Sequence, residues 1–295
     1  FNGMTNLEEF SFHDDSYVKD VVSMDYLLAN TSISKVDLTN VYFERLSTAR
    51  YLFQGSNMKT IEFYLPETVA NYNNILSDCP NLEEIKNVTF SRFIATAANW
   101  INNSPVKKLT NCQIYSDVLS FVNNPTLETV EGLIFDTNTF KKRFSGCTAL
   151  KTVDITFGDK VTDLTSGFEG CPSLVSVDFN SSPLPNMTTF NTLFNGDTSL
   201  TTINNFIVNE NASCGREVLI GCPIDNLDGC QFNSQASMEM FKMGSNSCIR
   251  EMSELPIGEN VKDLSYLFTD YPYITHDLTI PNHVTNVTSM YENCP

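Results

Sequence analysis

The stretch V-T-D-L-T-S-G-F-E-G-C-P-S-L-V-S-V-D-F, from Val161 to Phe179, recurs in looser form along the whole chain at intervals of about 24 residues. A self-similar period in the 20s marks a solenoid in which each turn contributes one short strand. A single turn cannot bury its own apolar face, so neighbouring turns must stack.

The register is set on a small or polar anchor at Thr31, Ser56, Cys79, Ser104, Pro125, Cys147, Cys171, Asp197, Cys222, Asn246, Tyr271 and Cys294. The interval from Thr31 to Cys294 covers 263 residues in eleven steps. Three positions before each anchor stand Leu28, Phe53, Leu76, Ile101, Val122, Phe144, Phe168, Phe194, Leu219, Met243, Phe268 and Tyr291, all apolar. With 41% hydrophobic residues overall, chance fills such a column about once in 40,000 trials, so the repeat is not a product of composition. Two further apolar columns follow the anchors, as in Leu150 and Val153 or Leu174 and Val177.

The spacing Leu150, Val153, Ile155 places residues one, four and six of each strand inside. Before the anchors, Val161, Leu164 and Phe168 fall at i, i+3 and i+7, which suits one or two helical turns on the opposite side. In a second class of coil, Asn87, Asn111, Gly132, Asn205 and Gly229 interrupt the strand, and a bulge or turn is expected there, because Asn and Gly tolerate left-handed backbone. Pro66, Pro256 and Pro281 fall in the loops after strands. No Gly/Ser-rich linker divides the chain, so residues 1–295 read as one solenoid domain. Both ends cut through a repeat without a polar cap, and a fragment of a longer chain is expected.

The string V-T-N-V-T-S-M-Y-E-N-C-P at Val284–Pro295, with its relatives at Val161–Pro172 and Val261–Pro272, resembles the BspA-like leucine-rich repeats of bacterial and protist surface proteins. The resemblance implies an α/β repeat fold: a leucine-rich-repeat solenoid of about twelve coils, with one short parallel strand per coil and short helical or irregular segments on the convex side. It implies adhesion or ligand recognition at a cell surface, with no catalytic residue to carry over.

Of the nine cysteines, Cys79, Cys147, Cys171, Cys222 and Cys294 occupy the anchor column, and Cys112 and Cys230 fill the apolar place after a bulge. Free thiols packed as small hydrophobes are therefore expected, with Cys214 and Cys248 left over. No metal-ligand spacing with histidine accompanies them, and neither metal nor cofactor is expected. No G-x-S-x-G, H-E-x-x-H, Walker or dinucleotide motif is present, so the chain reads as a non-enzyme. His13, His276 and His283 read as surface residues, and Trp100 as packing. No run of 18 apolar residues exists, and no membrane insertion is expected of this segment.

Charge supplies the functional direction. A net charge of −17 argues against nucleic acid or an anionic membrane as partner and leaves protein or glycan ligands. On the strand face, Asp37, Glu62, Glu131, Asp154, Asp178 and Asp228 form an acidic column and are the candidate ligand-binding residues. Adjacent rungs about 4.8 Å apart would set Asp154 beside Asp178 and Asp37 beside Glu62. Lys59, Lys107, Lys108 and Lys151 are interspersed, which also fits a plain solvated surface. The leading expectation is an extracellular or cell-surface recognition module. A virion attachment component and a structural spacer are the alternatives.

Overall fold

The computed structural model describes residues 1–11, 17–38, 40–241, 256–271 and 279–294. The expectations for His13, Met243, Asn246, Cys248, Pro272, His276 and Pro295 lie outside the described residues. The chain forms two compact units, one of Phe1–Leu119 with Val130–Ile134 and one of Ser120–Thr129 with Phe135–Pro295. Among the described residues the architecture is a parallel β-solenoid of about nine turns with almost no helix.

The N-terminal unit holds β1 (Tyr17–Val18), β2 (Lys35–Asp37), β3 (Tyr42–Phe43), β4 (Thr60–Tyr64), β5 (Glu84–Lys86), β6 (Thr89–Phe90), β7 (Lys108–Thr110), β8 (Gln113–Ile114) and most of β9 (Thr129–Phe135). Its main ladder runs β2-β4-β5-β7-β9, with β6 and β8 beside it and β1 paired to β3. The C-terminal unit holds β10 (Thr152–Phe157), β11 (Ser176–Asp178), β12 (Thr202–Asn204), β13 (Ile207–Val208) and β14 (Gln231–Phe232). There β10, β11 and β12 pair in parallel, as do β13 and β14.

The apolar columns point inward as their spacing requires. Leu150, Val153 and Ile155 are buried, and so are Val161, Leu164 and Phe168. In the C-terminal unit Phe144, Phe168 and Phe194 stack face to face, with centroids 5.8 Å and 5.6 Å apart. In the N-terminal unit Phe63, Tyr72, Phe90 and Trp100 pack edge to face or tilted, so Trp100 belongs to the core. One coil departs from the expected register. Phe121, not Val122, is buried and stacks on Phe144 at 5.1 Å, while Val122 is exposed. The larger ring takes the interior place, which moves the anchor from Pro125 to Asn124.

The segments before the anchors are not helical. Among the described residues the one helix is a 3-10 segment, Gln235–Phe241. Elsewhere alternate amides bond along the solenoid axis: Met24, Tyr26, Leu28 and Asn30 donate to the carbonyls of Thr48, Arg50, Leu52 and Gln54. The intervening amides of Leu27 and Ala29 close short turns onto Met24 and Tyr26. This ladder needs left-handed residues four apart, as at Tyr26 and Asn30 (φ 59° and 55°) or Ser166 and Gly170 (φ 56° and 73°). The i, i+3, i+7 apolar spacing fits this turn ladder as well as it fits a helix.

The anchor column has a hydrogen-bonding role that its mixed composition conceals. Ser56 Oγ accepts the Thr31 N–H at 3.1 Å and donates to the Leu28 carbonyl at 3.1 Å. Ser104 does the same with Cys79 N–H at 2.9 Å and the Leu76 carbonyl at 2.6 Å. Cys147, Cys171 and Cys222 donate their thiols to the carbonyls of Phe121, Phe144 and Phe194 at 3.0, 3.1 and 3.0 Å. These thiols are free and buried, as are those of Cys79, Cys112 and Cys230, while Cys214 and Cys294 are partly exposed. Burial pushes the Cys79 thiol up to about 11 and that of Cys147 up to about 12, so neither offers a thiolate at neutral pH.

Candidate ligand-binding surface

Each unit carries three of the six acidic candidates. In the N-terminal unit the strand register differs from expectation: Lys35 pairs with Glu62, and Asp37 pairs with Tyr64. Asp37 and Glu62 are therefore not neighbours across the ladder. The cause is in β4, where Ile61, Glu62 and Phe63 are buried in succession, a run that plain alternation does not allow. The local irregularity advances the pairing by two residues.

Glu62 is held by Lys35, whose Nζ lies 2.7 Å from Oε1, and by Asn87, whose Nδ2 donates to Oε2 at 2.9 Å. The Lys35 hydrogen bond, followed by that from Asn87, keeps the Glu62 carboxyl below the usual glutamate range. Glu131 is paired with Lys108 at 2.8 Å, and Asp37 is exposed.

In the C-terminal unit Asp154 and Asp178 do stand opposite each other, and Asp178 stands opposite Asn204. Their proximity is mediated by Asn180. Its side-chain amide donates to Asp154 and to Thr156 Oγ1 (3.2 Å), while its backbone N–H donates to Asp178 Oδ1 at 2.8 Å. Asn205 Nδ2 adds a second donor to Asp178 Oδ1 at 2.9 Å. Asp228 Oδ2 accepts from Asn226 Nδ2 at 3.0 Å. Five of the six acids, all but Asp37, are thus shown with amide or lysine donors. Among the described residues no cluster of three or more His, Cys, Asp or Glu side chains is placed to hold a metal ion.

The expected bulge sites are left-handed, with φ of 55° at Asn87, 50° at Asn111, 60° at Gly132, 58° at Asn205 and 68° at Gly229. Two of them, Asn87 and Asn205, supply the donors to Glu62 and Asp178, so the bulges and the acidic column are one device.

A second surface feature was not anticipated. Tyr17 stacks on Tyr42 at 5.3 Å, and Tyr26 on Tyr51 at 4.5 Å, with ring planes within 5° in both pairs. Tyr17, Tyr42 and Tyr26 are 60%, 62% and 43% exposed. Alongside the second pair, Arg50 Nε donates to Asp25 Oδ2 at 2.8 Å and Thr48 Oγ1 to Asp25 Oδ1 at 2.9 Å. The legible signal was the spacing: both tyrosine pairs are separated by one coil interval of 25 residues.

No protein-family model matches this sequence, and no curated protein does. Among solved structures the chain is similar to a leucine-rich repeat protein from Bacteroides ovatus, at 16% identity and a TM-score of 0.24. The match covers 70% of this chain and 61% of the length of that protein.

Proposed function

We propose that this chain is a non-catalytic recognition module that binds a protein or glycan ligand at a cell surface. The observation that carries the reading is the two tyrosine stacks at the surface, the Tyr26–Tyr51 stack standing beside the Asp25–Arg50 ion pair. Exposed rings held rigid next to oriented polar groups are the composition of recognition surfaces, since each ring offers contact area at little conformational cost. Tyr26 and Tyr51 also hold left-handed backbone, which is uncommon for a bulky residue. The acidic column of Asp37, Glu62, Glu131, Asp154, Asp178 and Asp228 is the second proposed contact surface, for a cationic or hydrogen-bonding partner. The net charge of −17 turns both surfaces away from nucleic acid and anionic lipid.

One observation favours a second reading. The internal pairing of Glu62, Glu131, Asp154, Asp178 and Asp228 suits a self-contained spacer that projects another domain. A virion component remains the alternative location.

The test is a glycan and host-protein array probed with the wild-type chain, a sixfold acid-to-amide variant and a Y26N/Y51N variant. Asn suits the left-handed backbone that both tyrosines hold. Binding lost on tyrosine replacement supports recognition through the ring stacks, and binding lost in the sixfold variant moves it to the acidic column. Wild-type binding to nothing on either array counts against recognition and for the spacer.

A further inference from the structure

We propose that Asp197 is a neutral carboxylic acid that replaces the hydroxyl and thiol donors of the anchor column, and that loss of its proton loosens this part of the C-terminal unit at alkaline pH. Asp197 occupies the column between Cys171 and Cys222 and is 0% exposed. Its Oδ1 accepts the Cys171 N–H at 2.7 Å, the bond that Ser56 accepts from Thr31 and Ser104 from Cys79. Its Oδ2 is buried without a protein partner as an acceptor.

The other anchors show what Oδ2 is placed to do. Four of them donate to the carbonyl three residues before the anchor of the preceding coil: Ser56 to Leu28, Ser104 to Leu76, Cys171 to Phe144 and Cys222 to Phe194. For Asp197 that carbonyl belongs to Phe168. An ionised carboxylate only accepts, and would set a negative oxygen against a carbonyl oxygen in a dry interior. A protonated one accepts at Oδ1 and donates at Oδ2, the same two functions that the serines perform.

The titratable groups that act on it are Glu169 and Cys171 in the preceding coil, and the Cys222 thiol of the following coil is engaged by the Phe194 carbonyl. Burial is the largest influence and pushes the Asp197 carboxyl up to about 9, with the Glu169 charge acting in the same direction and the Cys171 N–H opposing. The Cys171 thiol is itself raised, by burial and then by Asp197. Because the folded value lies above the unfolded one, the native chain keeps a proton that the unfolded chain releases. The resulting stabilisation is whole below the unfolded value near 3.8, declines as pH rises, and is lost by about 9.

The experiment compares wild type with Asp197→Asn and Asp197→Ser. At pH 7 the infrared difference spectrum between wild type and D197N is expected to contain a protonated-carboxyl C=O stretch. In urea denaturation from pH 5 to 10, wild type is expected to lose stability relative to D197N as pH rises, because the amide reproduces the acceptor and donor without titrating. D197S, which restores the residue type of Ser56, is expected to follow D197N. A difference spectrum showing only carboxylate bands would overturn the proposal. So would parallel pH profiles of wild type and D197N, or failure of both variants to fold where wild type folds.

Discussion

At the scale of single residues, an asparagine of one coil lies close over a glycine of the next. A Cβ added at Gly146 would stand 2.2 Å from Asn123 Oδ1, and Gly146 also holds a φ of +73°. Two costs therefore separate. Gly146→Ala is expected to lose about 1–2 kcal/mol from the left-handed backbone, with a further loss from overlap with Asn123. The double variant N123G/G146A is expected to recover the overlap and leave the backbone cost, as read by a double-mutant cycle in urea. If G146A were as stable as wild type, close coil-to-coil approach at this position would be the wrong account. The Asn-to-Gly spacing of 23 residues stands in the sequence, but nothing local there says that the amide lies over the glycine backbone.

At the scale of the strand and its bulge, Asn205 acts twice. Its backbone is left-handed at φ 58°, and its side chain donates to Asp178. Asn205→Ala should therefore lose both the backbone preference and a charge-assisted hydrogen bond, a combined cost of about 2–3 kcal/mol. Asn205→Gly keeps the backbone preference and should lose less, so N205G is expected to unfold at higher denaturant than N205A. Equal midpoints would mean that the bulge geometry contributes nothing. The bulge was legible because Asn or Gly at a strand position is a local signal. The turn ladder that replaces the expected helices was not, because its amides bond to carbonyls about one coil away, and the apolar spacing of Val161, Leu164 and Phe168 serves either geometry.

At the scale of the whole molecule, stability is a property of stacked neighbours rather than of a single centre. Phe168 is fully buried and lies between Phe144 and Phe194. Phe168→Ala is expected to cost about 3–5 kcal/mol, since it removes one ring's contacts on both sides and leaves a void. Because coils contact only their neighbours, amide exchange should accelerate more in the coils of Phe144, Phe168 and Phe194 than at β13 and β14. Uniform acceleration through the C-terminal unit would instead mark it as one cooperative block.

The period, the parallel solenoid, the inward columns and the left-handed sites were all legible in the sequence, whereas among the described residues the coils carry one, two or no strands where one short strand each was expected. Each legible feature is a burial or backbone preference that a residue expresses within its own coil, so spacing alone reveals it. It took the folded coils to show that Phe121 displaces Val122, that Lys35 rather than Asp37 faces Glu62, and that the segments before the anchors form turn ladders. They also show that five of the six acids are set among amides and lysines, and that two tyrosine pairs stack at the surface. These outcomes depend on which donors, acceptors and rings meet across coils more than 20 residues apart, where a shift of one or two positions changes every partner while leaving the apolar pattern intact.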